Sequence, residues 1–320
     1  MIRKTLLVLL LLPFAALAED SGDPWLLIEK ASQAAHRLSY KGIFVYQTGS
    51  TVNSMQITHM NYGPNGEFAR VVVLDGAPRE VLRQGNDALI YQPKSEKVMI
   101  DKRRLHSGFP AVLPRISEDI RGNYQIRLGG TERIGGHDGQ LVVLEPRDKY
   151  RYRCKIWTDR DSGLLLKIAL VNDKDEVIEQ VAFNQLMLTE GGNMDWFRPE
   201  LQRGKDYIVM PEDKVIQAAS QVDGWTIGQV PSGFRKIEQV QRMFPGKPFP
   251  VNHLVFSDGL ASVSLFIERI AQGVAPKVGG YSQGATNVQV SVHDGYQVVV
   301  MGEVPAATVS QISASINFSR

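Results

Sequence analysis

The chain has 320 residues, 43% of them hydrophobic, with 36 Lys and Arg against 34 Asp and Glu. That balance excludes a nucleic-acid binder whose affinity comes from neutralising phosphates, and the composition is neither disordered nor fibrous. One cysteine, Cys154, excludes an intrachain disulfide or a thiolate metal cluster.

In chain order, Arg3 and Lys4 precede an apolar run from Leu6 to Leu12, and Ala16-Leu17-Ala18 offers small residues before Glu19. This predicts a secretory signal peptide over 1–18. The run is too short to span a bilayer, which takes about 20 apolar residues. Its removal lowers the basic count by two, to match the 34 acidic residues. No cysteine follows the cleavage site, so no lipid anchor is expected, and the product is expected to be soluble in the periplasm. A lone cysteine suits an oxidising compartment because it has no internal partner for mispairing.

Asp23 is placed to cap a helix with Pro24 in its first turn and Leu27, Ala31, Ala34 and Leu38 at helical spacing. From Gly42 the period changes to two. Strands are predicted over 43–48, 54–60, 68–75, 88–92 and 97–101, separated by turn sequences such as residues 61–66. A short helix is predicted near 116–120. A second set of strands covers 124–128, 140–146, 150–158, 164–171 and 177–188, and the whole reads as an antiparallel meander. In the strand over 150–156, Tyr150, Tyr152, Cys154 and Ile156 share one face, while Arg151, Arg153 and Lys155 are expected on the watered face. Residues 70–74 and 141–144 are apolar on both faces, which predicts cover on both sides. Between 191 and 224 the alternation lapses, and strands resume over 225–230, 253–257, 261–267, 287–293 and 296–300. Pro305 opens a terminal helix with Val309, Ile312 and Ile316 on one face.

No catalytic, metal or cofactor site is expected. Gly280-Tyr281-Ser282-Gln283-Gly284 matches the G-x-S-x-G nucleophile elbow, which needs a helix after the serine. Here Val288, Val290 and Val292 alternate as a strand instead. His36, His59, His106, His137, His253 and His293 lack metal-ligand spacing. Two features point to binding. Lys102, Arg103 and Arg104, at the mouth of a curved sheet, could meet the phosphates of a lipid headgroup; a solvated loop is the alternative. The aliphatic residues of strands with few helices to cover them predict either a hollow for acyl chains or a filled core.

Five segments carry a resemblance along essentially the whole mature length: LDGAPREVLR at 74–83, PRDKYRY at 146–152, DSGLLLK at 161–167, LVFSDGLASVSLFIE at 254–268 and VVMGEVP at 299–305. In this order behind a signal peptide, the chain resembles the RseB/MucB family of periplasmic regulators of the envelope-stress sigma factor. The resemblance implies an α+β fold: a large antiparallel half-barrel sheet over helices, similar to the lipoprotein carriers, plus a smaller α+β domain. The expected division is a large domain over 19–190, a linker over 191–215 and a small domain over 216–320. It also implies a non-enzymatic negative regulator that binds the periplasmic region of a membrane anti-sigma factor, shields it from protease and is released by lipopolysaccharide or another lipid. A periplasmic lipid or lipoprotein carrier is the alternative. The expected partner surface is Val255, Phe256, Phe266, Glu268, Tyr281 and Tyr296, with Lys102, Arg103 and Arg104 at the lipid headgroup. A homodimer is a further expected association, and no nucleic acid is expected.

Overall fold

The computed structural model describes residues 23–85, 87–92, 97–101, 108–197, 208–210, 214–218, 224–244 and 246–318. Helix α1 (Trp25–Arg37) begins where Asp23 accepts from the Trp25 amide at 3.1 Å. It buries Ile28, Ala31 and Ala35, and ends as Leu38 turns extended. The chain then zigzags through β1 (Ser39–Thr48), β2 (Thr51–Asn61), β3 (Glu67–Val73), β4 (Glu80–Gln84), β5 (Asp87–Gln92) and β6 (Lys97–Asp101). Helix α2 (Glu118–Asn123), capped by the Ser117 hydroxyl, opens a second zigzag. This comprises β7 (Tyr124–Ile134), β8 (His137–Pro146), β9 (Arg153–Asp159), β10 (Leu165–Val171) and β11 (Val177–Thr189). The two halves join at the centre, where β1 pairs with both β2 and β11. β12 (Ile208–Met210) lies parallel to β6, and the twelve-stranded order is β12-β6-β5-β4-β3-β2-β1-β11-β10-β9-β8-β7.

The strands that follow are β13 (Lys214–Ala218), β14 (Trp225–Ile227), β15 (Arg235–Met243), β16 (Val251–Ser257), β17 (Ser262–Arg269), β18 (Gly279–Gln283), β19 (Thr286–His293) and β20 (Tyr296–Gly302), all but β14 forming the second sheet. Seven of these strands run β13-β15-β16-β17-β20-β19-β18. β14 pairs instead with the last strand, β21 (Ile316–Phe318), which follows α3 (Ala306–Ala314).

Each sheet has its own core. In the larger, Ile28 and Ala35 of α1 and Ile120 of α2 pack on Leu144, Ile156 and Leu165. In the smaller, Val309 and Ile312 of α3 pack on Leu254, Leu265 and Val300. Helix α1 sits against β9 and β10, so the helices cover one half of the large sheet. The inner faces of β1 to β4 are left to line a hollow.

Four expectations need correction. The terminal helix ends at Ala314, and Ile316, expected on its face, opens β21 and pairs with Ile227. The strands β4, β12, β13, β15, β18 and β21 are absent from the predicted set; Glu80 to Gln84, for one, offers a single short alternation between turn sequences. The strand predicted from 150 begins at Arg153, and Arg151 is buried rather than watered. It lies in the preceding turn, where strand parity does not apply. The 70–74 segment is covered on one side only. Phe68 meets Phe197, and Arg70 approaches the Trp196 carbonyl, on the outer side, whereas Ala69 and Val71 line the hollow. Leu74 lies beyond the strand, 47% exposed.

Gly42 marks the tightest approach in the sheet centre. A Cβ there would sit 2.5 Å from the Gln185 carbonyl oxygen, beside the β1 bulge at Ile43 and Phe44. Gly42→Val is expected to destabilise the protein by about 1–3 kcal/mol through overpacking, read as a lowered urea midpoint with unchanged slope.

Candidate binding chamber and domain junction

The hollow under β1 to β4 is a chamber of about 850 Å³. Its walls are apolar: Phe44, Met55, Ile57, Val71 and Val181 from the sheet, with Phe109 and Val112 from the segment before α2. Strand alternation puts these side chains on one face, and the neighbouring Leu113 is anchored in the core.

One end is polar. Glu67 accepts from His36 Nδ1 and His59 Nε2, each at 3.0 Å, and His59 Nδ1 faces the Leu38 carbonyl at 2.8 Å. The His59 ring stacks on Tyr40 with centroids 4.6 Å apart. Burial pushes the Glu67 carboxyl up, but the bonds from His36 and His59 and their charges outweigh it and hold it at about 2. The bond to Glu67 raises the His36 imidazole. Arg83 lines the same end. The knot ties α1 to β2 and β3 across the chamber.

The second sheet is bolted to the first by a buried ion pair. Arg151 Nε donates to Asp258 Oδ2 at 2.5 Å, and both side chains are fully buried. Arg151 also donates to Asp148 and, at 2.5 Å, to the Ser232 carbonyl, while Phe234 lies 4.8 Å from the guanidinium carbon. Asp258 accepts from the Leu260 and Ala261 amides at 2.9 and 2.7 Å and from the Tyr124 hydroxyl at 3.3 Å. Burial opposes the Arg151 charge, yet Asp258 and Asp148 raise its pKa overall. Burial, and then Asp258, raises Tyr124. Around the bolt, Asn287 Nδ2 donates to the Tyr152 hydroxyl at 2.9 Å and Thr308 donates to the Tyr150 carbonyl at 2.8 Å.

Between the sheets lies a cleft of about 520 Å³, bounded by Tyr124, Tyr152 and Leu170 on one side and Leu260, Ser264 and Met301 on the other. Gly284, at φ +57°, lets the β18–β19 turn press on β1, where a Cβ would collide with the Thr48 hydroxyl.

The expected partner residues fall on two faces. Phe256 is buried in the small core, and Tyr296 stacks on Phe318 on that same side. Val255, Phe266, Glu268 and Tyr281 fall on the opposite face through the registers Val255↔Ser264↔Met301↔Val288↔Tyr281 and Phe266↔Val299. There Val255 is 8% exposed, Phe266 stacks on His253 at 4.3 Å, and Glu268 binds Lys247 at 2.8 Å. Tyr281 is 46% exposed and lines a groove of about 370 Å³ with Tyr46 and Met301. Lys102, Arg103 and Arg104, and the predicted signal peptide, lie outside the described residues. Ser282 is in a strand followed by a strand, with its hydroxyl 2.5 Å from Asn287 Oδ1. Among the described residues no cluster of three or more His, Cys, Asp or Glu could hold a metal, and no helix is long and apolar enough to cross a membrane.

A lined chamber beside a second sheet domain, locked to it by a buried ion pair, defines a two-domain binding protein. Residues 23–203 match the MucB/RseB N-terminal domain and residues 219–317 the MucB/RseB C-terminal domain. The chain belongs to the MucB/RseB family. It is 30% identical over 324 residues to the sigma factor AlgU regulatory protein MucB of Pseudomonas aeruginosa, covering 98% of this chain and 97% of that one. It is 24% identical over 309 residues to the sigma-E factor regulatory protein RseB of Escherichia coli K12, covering 95% and 94%. A crystal structure of MucB in complex with MucA(peri) aligns with a TM-score of 0.72 at 26% identity, over 93% of this chain and 100% of that one.

Two outcomes test the site. Arg151→Met is expected to cost about 3–5 kcal/mol by leaving Asp258 buried and unpaired, and combining R151M with D258L should recover much of it in urea titrations. The second concerns pH. Glu67 is depressed, so its contribution is present above its ordinary 4.5 and lost as pH falls toward 2; His36 is raised, so its contribution is complete below 6.5 and lost as pH rises through its folded value. The melting-temperature gap between wild type and Glu67→Gln should therefore be widest between pH 4.5 and 6.5.

Proposed function

We propose that this protein is a non-enzymatic regulator in the periplasm. It binds the periplasmic region of an inner-membrane anti-sigma factor, shields it from protease, and releases it when lipopolysaccharide or another lipid enters the chamber. The observation that carries this reading is kinship along the whole chain with MucB, a sigma factor AlgU regulatory protein, together with the likeness to a crystal structure of MucB in complex with MucA(peri). The proposal assigns residues 1–18 to the signal peptide, 19–190 to the lipid-binding domain, 191–215 to the linker and 216–320 to the partner-binding domain.

The geometry supports a mechanism by occupancy. An extended segment of the partner can lie along the open face that presents Tyr281, Val288 and Met301, or add to the outer strand β18, where main-chain bonds supply affinity. A segment held this way is unavailable to a protease, which also needs it extended. Lipid releases the partner only if it binds the free regulator better than the complex. The apolar chamber walls support a lipid, and the headgroup is assigned to Lys102, Arg103 and Arg104.

The test is capture of the full mature chain on an immobilised periplasmic domain of the anti-sigma factor. Tyr281→Asp with Met301→Asp, both at exposed positions, is expected to weaken binding by at least about tenfold. Lipopolysaccharide should weaken wild-type binding about 5–150-fold, the usual range of coupling between two sites. Recovery from envelopes with stoichiometric lipid and no protein partner would favour a carrier instead.

A further inference from the structure

The chamber and the junction cleft are walled off from each other by very little. They share four lining residues: Val112, Glu179, Val181 and Glu303. Val112 is 38% exposed, on a segment whose Phe109 and Leu113 are buried in the core, so it is held in place from both sides while its own side chain is unburied. Val181 of β11 lines both spaces as well. Beyond them the cleft continues over Leu170 and Met301, the latter already part of the small domain.

Resting on the lipid-binding reading above, we infer that chamber and cleft form one acyl-chain channel partitioned by Val112 and Val181. The length of a bound alkyl chain then decides whether it reaches the small domain. The occupant is a single unbranched chain with a polar head. The apolar walls suit the chain, and it runs away from the opposite end, which is polar: there Glu67 is bonded by His36 and His59. Two carboxylates, Glu179 and Glu303, flank the partition. Burial first, and the neighbouring Glu303 second, raise the Glu179 carboxyl, against the opposing pull of Tyr46 and the Ala285 amide. A short chain fills the chamber and stops at the valines. A longer one passes between them and contacts Met301, on the face proposed for the partner, so chain length links lipid binding to partner release by direct contact.

The experiment is calorimetric titration of the full mature protein with saturated fatty acids from octanoate to palmitate. Each methylene that finds a wall should tighten binding about fourfold. The wild type is expected to keep gaining along the whole series. Val112→Trp, which fills the partition, should gain as much per methylene as the wild type among the short members, whatever its absolute affinity, and then flatten; a wild-type circular-dichroism spectrum with a cooperative melt checks that it folds. Val181→Phe approaches the partition from the sheet side and should flatten at the same length. If both variants track the wild type to palmitate, or the wild type flattens where they do, the channel is refuted and the lipid-binding reading stands. If no member binds any of the three proteins, both fall together.

Discussion

The arrangement of the two sheets depends on the Arg151–Asp258 pair. Burying both charges is costly, and their attraction offsets the loss only when the remaining donors and acceptors are also engaged. Here they are: three guanidinium nitrogens go to Asp258, Asp148 and the Ser232 carbonyl, and the carboxylate takes two amides and the Tyr124 hydroxyl. Such a set is satisfied in one relative position of the domains. It selects a geometry more than it supplies stability. The Tyr152–Asn287 and Thr308–Tyr150 contacts, and the cleft itself, exist because that position is held.

The chamber follows from a shortage of helix. Two helices cannot cover twelve strands, so the half over β8 to β10 becomes a packed core while the half over β1 to β4 keeps apolar side chains facing space. The His36–Glu67–His59 knot then carries a second duty. It fastens α1 to the uncovered half, so the one long helix spans the boundary between solid and hollow.

Much of this was legible in the amino-acid order. Period-two stretches such as 54–60 and 287–293 read directly as strands because one face of each is buried. The cap at Asp23 and the start of the terminal helix after Pro305 were equally plain. What escaped was long-range. Nothing near Arg151 says that a carboxylate far along the chain will neutralise it, and regular alternation argued for a watered face. Asp258, in a Ser-Asp-Gly sequence, gives no local sign of a partner beyond the turn it closes with the Leu260 and Ala261 amides. Residues 36, 59 and 67 carry no ligand-like spacing because they belong to three different elements. Phe256 and Val255 are adjacent in sequence and face opposite ways, so a partner surface drawn as a continuous run necessarily mixes core with surface.

The pairing at the sheet centre bears on how the chain is made. β1 is the first strand and β11 the last of the large antiparallel set, and their register runs from Ser39 with Thr189 to Thr48 with Glu179. Loop closure over that separation must precede any reward from it, which slows folding. Until β11 arrives, β1 is a bare edge of long, half-apolar strand, the kind of template that recruits other chains. A newly made molecule therefore passes through a stage in which aggregation competes with completion, and its yield should depend on holdase chaperones and on expression rate.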